Sequence, residues 1–161
     1  MTDVMFMDKY DVVQKIIKKY KTRSPYEILN SMGIILRREE LGSILGYYYK
    51  VYRIKHIVLN SNLEYMSSEE KYVLSHELGH SVMHPDANTP FLRANTYLSV
   101  DRMEKQANKF AMELLISDDD IKEYAIEKHY TVDMLSKLWG YNRELIKLRL
   151  NMAEENRYKI Q

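Results

Sequence analysis

The run His76-Glu77-Leu78-Gly79-His80 has the residue types and spacing to hold a metal ion and to move a proton beside it. Inside a helix, residues four apart share a face, so both imidazoles can reach one ion. Helix geometry turns Glu77 about 100° from His76, which sets its carboxylate beside the ion and not behind it. In H-E-x-x-H proteins this Glu is the general base toward the water that the ion activates. The pattern points to metal-assisted hydrolysis of a peptide bond.

The surrounding residues predict a helix over 67–83. Ser67 and Glu70 have the spacing of a capping box. Val73, His76, Glu77, His80 and His84 fall on one face, and Leu74, Leu78 and Val82 on the other. Gly79 within a helix costs about 1 kcal/mol relative to Ala. That cost suggests that a strand or a second helix approaches closely there.

A catalytic zinc takes three protein ligands and keeps one position open. The chain has no Cys, so the third ligand is His, Asp or Glu. A second amphipathic helix is predicted over about 101–115, capped by Asp101 or Ser99. Its apolar stripe includes Met103, Ala107, Phe110, Ala111, Leu114 and Leu115. Glu104 and Asn108 sit one turn apart beside this stripe. Glu104 is a candidate ligand, and Asn108 a candidate outer hydrogen-bond partner for one. Spacing alone equally allows Glu104 to be an exposed acid favouring the helix macrodipole. His84 is a rival ligand, but it precedes Pro85, where the helix should stop, and reads as a pocket-rim or structural residue. Glu113 is expected to be solvated.

The run Leu74-Ser75-His76-Glu77-Leu78-Gly79-His80, followed by Glu104-Lys105-Gln106-Ala107-Asn108-Lys109-Phe110-Ala111 and Leu114-Leu115, resembles the ImmA/IrrE metallopeptidases. The resemblance covers roughly residues 20–150. The stretch Gly46-Tyr47-Tyr48-Tyr49, then Ile57-Val58-Leu59-Asn60, is similar to the strand hairpin that precedes that family's active helix. The resemblance implies a zinc endopeptidase with His76, His80 and Glu104 as ligands and Glu77 as base. It also implies a protein substrate, since several members cut a helix-turn-helix repressor and so switch on the genes it silences. Without the C-terminal sensor domain of the radiation-response members, the chain looks closest to the compact mobile-element or prophage type.

Composition narrows the partners. The 161 residues, 45% hydrophobic and 29% charged, suit one globular domain with a sizeable core. A net charge of +1 gives no bulk argument for nucleic acid or membrane. The absence of Cys fits a reducing cytoplasm. Met1 to Tyr20 shows no apolar run of the signal-peptide kind, and no stretch is long and apolar enough to span a bilayer.

Elements that position the site can be read along the chain. Val12, Val13, Ile16, Ile17 and Tyr20 predict a first helix over 8–22, with Lys15, Lys18, Lys19 and Lys21 on its solvated side. Ser24-Pro25-Tyr26-Glu27 opens a short helix that ends at Gly33. Strands are expected over 34–37, 43–50 and 53–60. Tyr47, Tyr48 and Tyr49 are candidate substrate-binding residues on an edge strand, to which an extended peptide can add. Residues 84–98 read as a long loop. Helices follow over 118–128, 131–138 and 142–156, with Thr131 and Asn142 as caps.

The expected fold is α+β. A small three-stranded antiparallel sheet packs on the H-E-x-x-H helix and the second ligand helix, with a helical C-terminal part. The whole forms one domain over 1–161, divided into 1–33, 34–117 and 118–161. The last part faintly resembles a helix-turn-helix. It holds eight Lys and Arg against nine Asp and Glu, whereas DNA readers are basic. A packing or repressor-docking role is therefore expected for it. Two other functions stay open: a non-catalytic anti-repressor that displaces the repressor, and a DNA-binding regulator acting through the C-terminal helices.

Overall fold

The computed structural model of the protein describes residues 9–88 and 97–159. Helix α1 (Lys9–Tyr20) buries Val13 and Ile16 and leaves Lys15, Lys18 and Lys19 exposed. Helix α2 (Pro25–Ser31) starts at Ser24, whose hydroxyl accepts from Glu27 N at 3.4 Å. Gly33 follows its C-cap with φ +72°, the left-handed geometry that ends helices.

Three strands follow: β1 (Ile35–Glu39), β2 (Gly46–Val51) and β3 (Ile54–Asn60). Their order is β1-β3-β2. β2 and β3 form an antiparallel hairpin through Tyr52 and Arg53, both at positive φ, which matches the twist of the strands. The sheet is mixed and not wholly antiparallel, because β1 runs parallel to β3, with Ile35 opposite His56 and Glu39 opposite Asn60. The reason lies at the end of β3. Asn60 N donates to Leu45 O at 2.8 Å, and Asn60 Nδ2 donates to Gly42 O and Ile44 O, both at 2.9 Å. These bonds fold the 40–45 connection across the end of β3. β1 and β2 therefore flank β3, and β1 is left running in its direction.

The next helix, α3 (Ser68–Met83), is buried continuously from Val73 to Ser81. Ser67 caps it by accepting from Glu70 N at 3.1 Å, but only half of the expected box forms. The Glu70 carboxylate is fully buried, where it accepts from Tyr26 OH at 2.6 Å, Met66 N at 3.2 Å and Arg38 at 3.1 Å. These donors outweigh burial and hold its pKa below the usual carboxylate value. Glu70 thus pins α3 to α2 and β1. The main core of Ile28, Leu29, Tyr48, Ile57, Leu59, Leu74 and Leu78 lies between the sheet and the helices, with Phe110 and Leu114 closing it.

Helix α4 (Tyr97–Leu115) packs along α3. Ser99 and Asp101 lie inside it and so are not its cap, since the helix already includes Tyr97. Of the expected loop, 84–88 is non-helical and 97–98 is helical, while 89–96 falls outside the described residues. A short turn α5 (Asp118–Asp120) runs into a π-helix (Ile121–Glu127). Then come α6 (Val132–Trp139), capped by Thr131, and α7 (Arg143–Lys159), where Leu145 N donates to Asn142 Oδ1 at 2.9 Å.

A second apolar cluster of Ile116, Ile121, Leu135 and Ile146 holds this C-terminal part together. Arg149, 1% exposed, donates to Ile116 O at 2.9 Å and Asp118 Oδ1 at 2.6 Å, tying α7 to the end of α4. Ser68 Oγ donates to Trp139 O at 3.0 Å, which joins α6 to the start of α3. These contacts pack the C-terminal helices against α3 and the end of α4. Among the described residues, no helix is long and apolar enough to cross a membrane.

Candidate metal centre

The α3–α4 crossing builds the site. An ideal Cβ on Gly79 would lie 3.0 Å from Phe110 Cδ1, so the missing side chain lets α4 approach closely. The close approach inferred from Gly79 is therefore that of a helix. At this spacing Glu104 reaches over the paired histidines. Its Oε2 lies 2.9 Å from His76 Nε2, and its Oε1 lies 3.2 Å from His80 Nε2. The two Nε2 atoms are 3.2 Å apart.

These distances fit a small divalent cation. A tetrahedral ion with bonds of about 2.0–2.1 Å sets its ligand atoms about 3.3 Å apart. Two imidazole nitrogens and one carboxylate oxygen are also a donor set that zinc favours. Burial raises the Glu104 pKa, but the contacts with His76 and His80 outweigh it and hold the carboxyl well below its usual range. The carboxylate therefore stays ionised, as a ligand must. Burial alone would lower the His76 pKa. The contact with Glu104 and the nearby Glu77 charge raise it instead. For His80, burial prevails and the pKa is lowered.

Each histidine has an outer partner on its Nδ1. Asn108 Oδ1 lies 2.8 Å from His76 Nδ1 and also accepts from Tyr72 OH at 2.5 Å. A donor at His76 Nδ1 leaves Nε2 bare for a cation. Asn108 lies one turn beyond Glu104 on the same helix. On the other side, His84 Nδ1 lies 3.2 Å from His80 Nδ1, and His84 Nε2 lies 2.6 Å from Gln106 Oε1. His84 therefore stands outside the converging donors, behind His80.

Glu77 is 1% exposed and faces the same cleft. The cleft, about 400 Å³, is lined by Ser43–Gly46, Tyr72, Val73 and the site residues His76, Glu77, Glu104 and Asn108. Tyr72 was not selected by sequence reasoning, although its place one turn before His76 was visible. Burial pushes its pKa up to about 12, so its hydroxyl remains a proton donor across the physiological range.

The tyrosine run of the edge strand is not among the residues that line the cleft. Tyr48 is fully buried in the core, and its hydroxyl donates to Pro85 O at 2.6 Å. Strand alternation turns Tyr47 and Tyr49 to the opposite sheet face, where Tyr49 stacks on His56 with centroids 4.7 Å apart. The cleft is reached instead by Ile44 and Leu45, just before β2, and by Gly46 at its start. Glu113 also departs from expectation. It is 2% exposed, accepts from Gln14 Nε2 at 3.1 Å, and burial pushes its pKa up to about 7.

The sequence profile of the IrrE N-terminal-like domain, peptidase M78, matches residues 29–151. The chain belongs to this family. The M78 match spans both helices that form the cleft. The chain is also 43% identical over 138 residues to "Uncharacterized immunity region protein 2" of Bacillus phage phi105, covering 85% of each. To "Metallopeptidase ImmA" of Bacillus subtilis (strain 168) it is 29% identical over 142 residues, covering 87% of this chain and 76% of that protein. Among solved structures, a Mycobacterium tuberculosis transcriptional regulator superposes with a TM-score of 0.62 at 14% identity. That match covers 90% of this chain but 47% of the regulator, and it shows a shared fold. As an M78 metallopeptidase the protein implies a metal. Among the described residues, His76, His80 and Glu104 bring their donor atoms within 4.8 Å of one another.

Proposed function

We propose that the protein is a zinc-dependent endopeptidase of the cytoplasm. Its substrate is a helix-turn-helix repressor of a phage or integrative element, and its cleavage derepresses that element's genes. The observation that carries the reading is the convergence of Glu104 on His76 and His80 beside a buried Glu77 in one open cleft. The names of the two relatives, one an immunity-region protein of a phage and one a metallopeptidase, support the biological setting.

His76, His80 and Glu104 hold the ion, which when bound supplies Lewis acidity toward water and the substrate carbonyl. Glu77 takes the proton of the attacking water and passes it to the leaving amine. Asn108 keeps the His76 ring oriented. The substrate strand lies along β2, an edge of the sheet, whose start at Gly46 borders the cleft.

The test is incubation with the repressor encoded beside its gene, with and without a chelator. Repressor fragments that vanish with chelator are expected. Intact repressor that no longer binds DNA would make the protein an anti-repressor that works by displacement, and the peptidase reading would be wrong.

A further inference from the structure

His84 lies one helical turn past His80 and is not among the converging donors. The chain holds it in place from several sides. Its backbone N donates to His80 O at 2.8 Å, which closes the last turn of α3. Pro85 disfavours a helical conformation for the residue before it, and His84 leaves the helix at φ −132° and ψ 56°. The sheet fixes the next two residues, through Tyr48 OH to Pro85 O at 2.6 Å and Lys50 Nζ to Asp86 Oδ1 at 2.5 Å. So placed, the His84 ring sits 5.4 Å from the His80 ring, with Nδ1 facing Nδ1.

The polarity of this contact follows from the far end. Gln106 Oε1 is an acceptor, and it lies 2.6 Å from His84 Nε2, so that nitrogen carries the proton. A neutral His84 then has a bare Nδ1, which can only accept. The proton between the rings therefore belongs to His80 Nδ1, and His80 Nε2 is left without one. That nitrogen is the atom facing Glu104 and His76.

We propose that His84 and Gln106 are positioning residues that hold His80 in its metal-ready tautomer. The inference rests on the reading of His76, His80 and Glu104 as ligands of one zinc ion. It gives the two ligand histidines different supports. His76 donates to an amide oxygen of α4, while His80 donates to a second imidazole that is in turn set by α4. Reversing either link puts the proton on His80 Nε2 and blocks the site.

The experiment measures zinc affinity of the whole chain by competition with a chromophoric chelator, and reads the His80 tautomer by long-range ¹H–¹⁵N NMR. Loss of such an outer partner typically costs 10–100-fold in affinity. His84→Ala is expected to weaken zinc binding by about that factor and to shift the metal-free His80 toward the Nε2–H form. His84→Gln, which keeps an acceptor, should recover most of the affinity. Gln106→Glu, an acceptor only, should bind at least as tightly as wild type, and Gln106→Met should resemble His84→Ala. The Gln106 variants serve even if His84→Ala does not fold. Wild-type affinity and an unchanged His80 tautomer in Gln106→Met, or no recovery in a folded His84→Gln, would overturn the proposal. A separate control tests the underlying reading. If His80→Ala binds zinc as wild type does, the metal site itself is wrong and the positioning role falls with it.

Discussion

Phe110 occupies the space where a side chain on residue 79 would begin, 3.0 Å from an ideal Cβ at Gly79. The contact sets the distance between the helix of the histidines and the helix of the carboxylate. Gly79→Ala gains about 1 kcal/mol of helix propensity and loses a similar amount to overpacking. Thermal stability should therefore change little, while zinc affinity falls because Glu104 is pushed outward. A variant with wild-type affinity would show that the triad does not depend on this crossing.

Glu77→Gln keeps the shape of the buried side chain and removes its basicity. Zinc content should stay at one per chain by elemental analysis, with peptide cleavage reduced by at least about 10²-fold. Cleavage at the wild-type rate would remove Glu77 from the role of base.

The hydroxyl of Tyr72 and Nδ1 of His76 share one acceptor, Asn108 Oδ1. Asn108→Ala should lower zinc affinity by about 10–100-fold. Tyr72→Phe removes one neutral hydrogen bond, worth about 1 kcal/mol, and should have a smaller effect on affinity. If both variants bound zinc normally, the outer support of His76 would have to come from elsewhere.

Glu113 supplies a pH dependence of stability. Its pKa is raised from 4.5 to about 7 by burial, despite the hydrogen bond from Gln14 and the nearby Arg149 and Arg23. The folded state therefore binds more protons than the unfolded state between these values, so stability falls as pH rises from about 4.5 to about 7. The loss is on the order of 3 kcal/mol and is complete above that range. Glu113→Gln should stabilise the fold at pH 8 and change little at pH 4, as measured by urea unfolding. The same pH slope in the variant would show that another group carries it.

Much of the site was legible because its parts are local. His76, Glu77 and His80 are joined by helix geometry alone, and Glu104 and Asn108 by one further turn. Their meeting is not local. Spacing left Glu104 and its exposed alternative equal; the family resemblance favoured the ligand, and the close packing at Gly79 brings Glu104 onto the two histidines. Buried acids were hidden for the same reason. Glu70 meets Arg38 across 32 residues and Glu113 meets Gln14 across 99, and periodicity carries no sign of either. Tyr47, Tyr48 and Tyr49 show the limit of a strand pattern. Alternation says that one face is buried, but the face is decided by what packs on it, and Tyr48 went inward. The parallel pairing of β1 goes with a 40–45 connection that Asn60 holds across the end of β3, a side-chain contact that strand propensity does not reveal.

The central claim is that one zinc ion is shared by two helices. X-ray diffraction from zinc-loaded crystals on either side of the zinc absorption edge tests it most directly. One anomalous peak is expected, about 2.0–2.2 Å from His76 Nε2, His80 Nε2 and a Glu104 carboxylate oxygen. A peak held by other residues, or a Glu104 side chain turned into solvent while zinc is bound, would contradict the account.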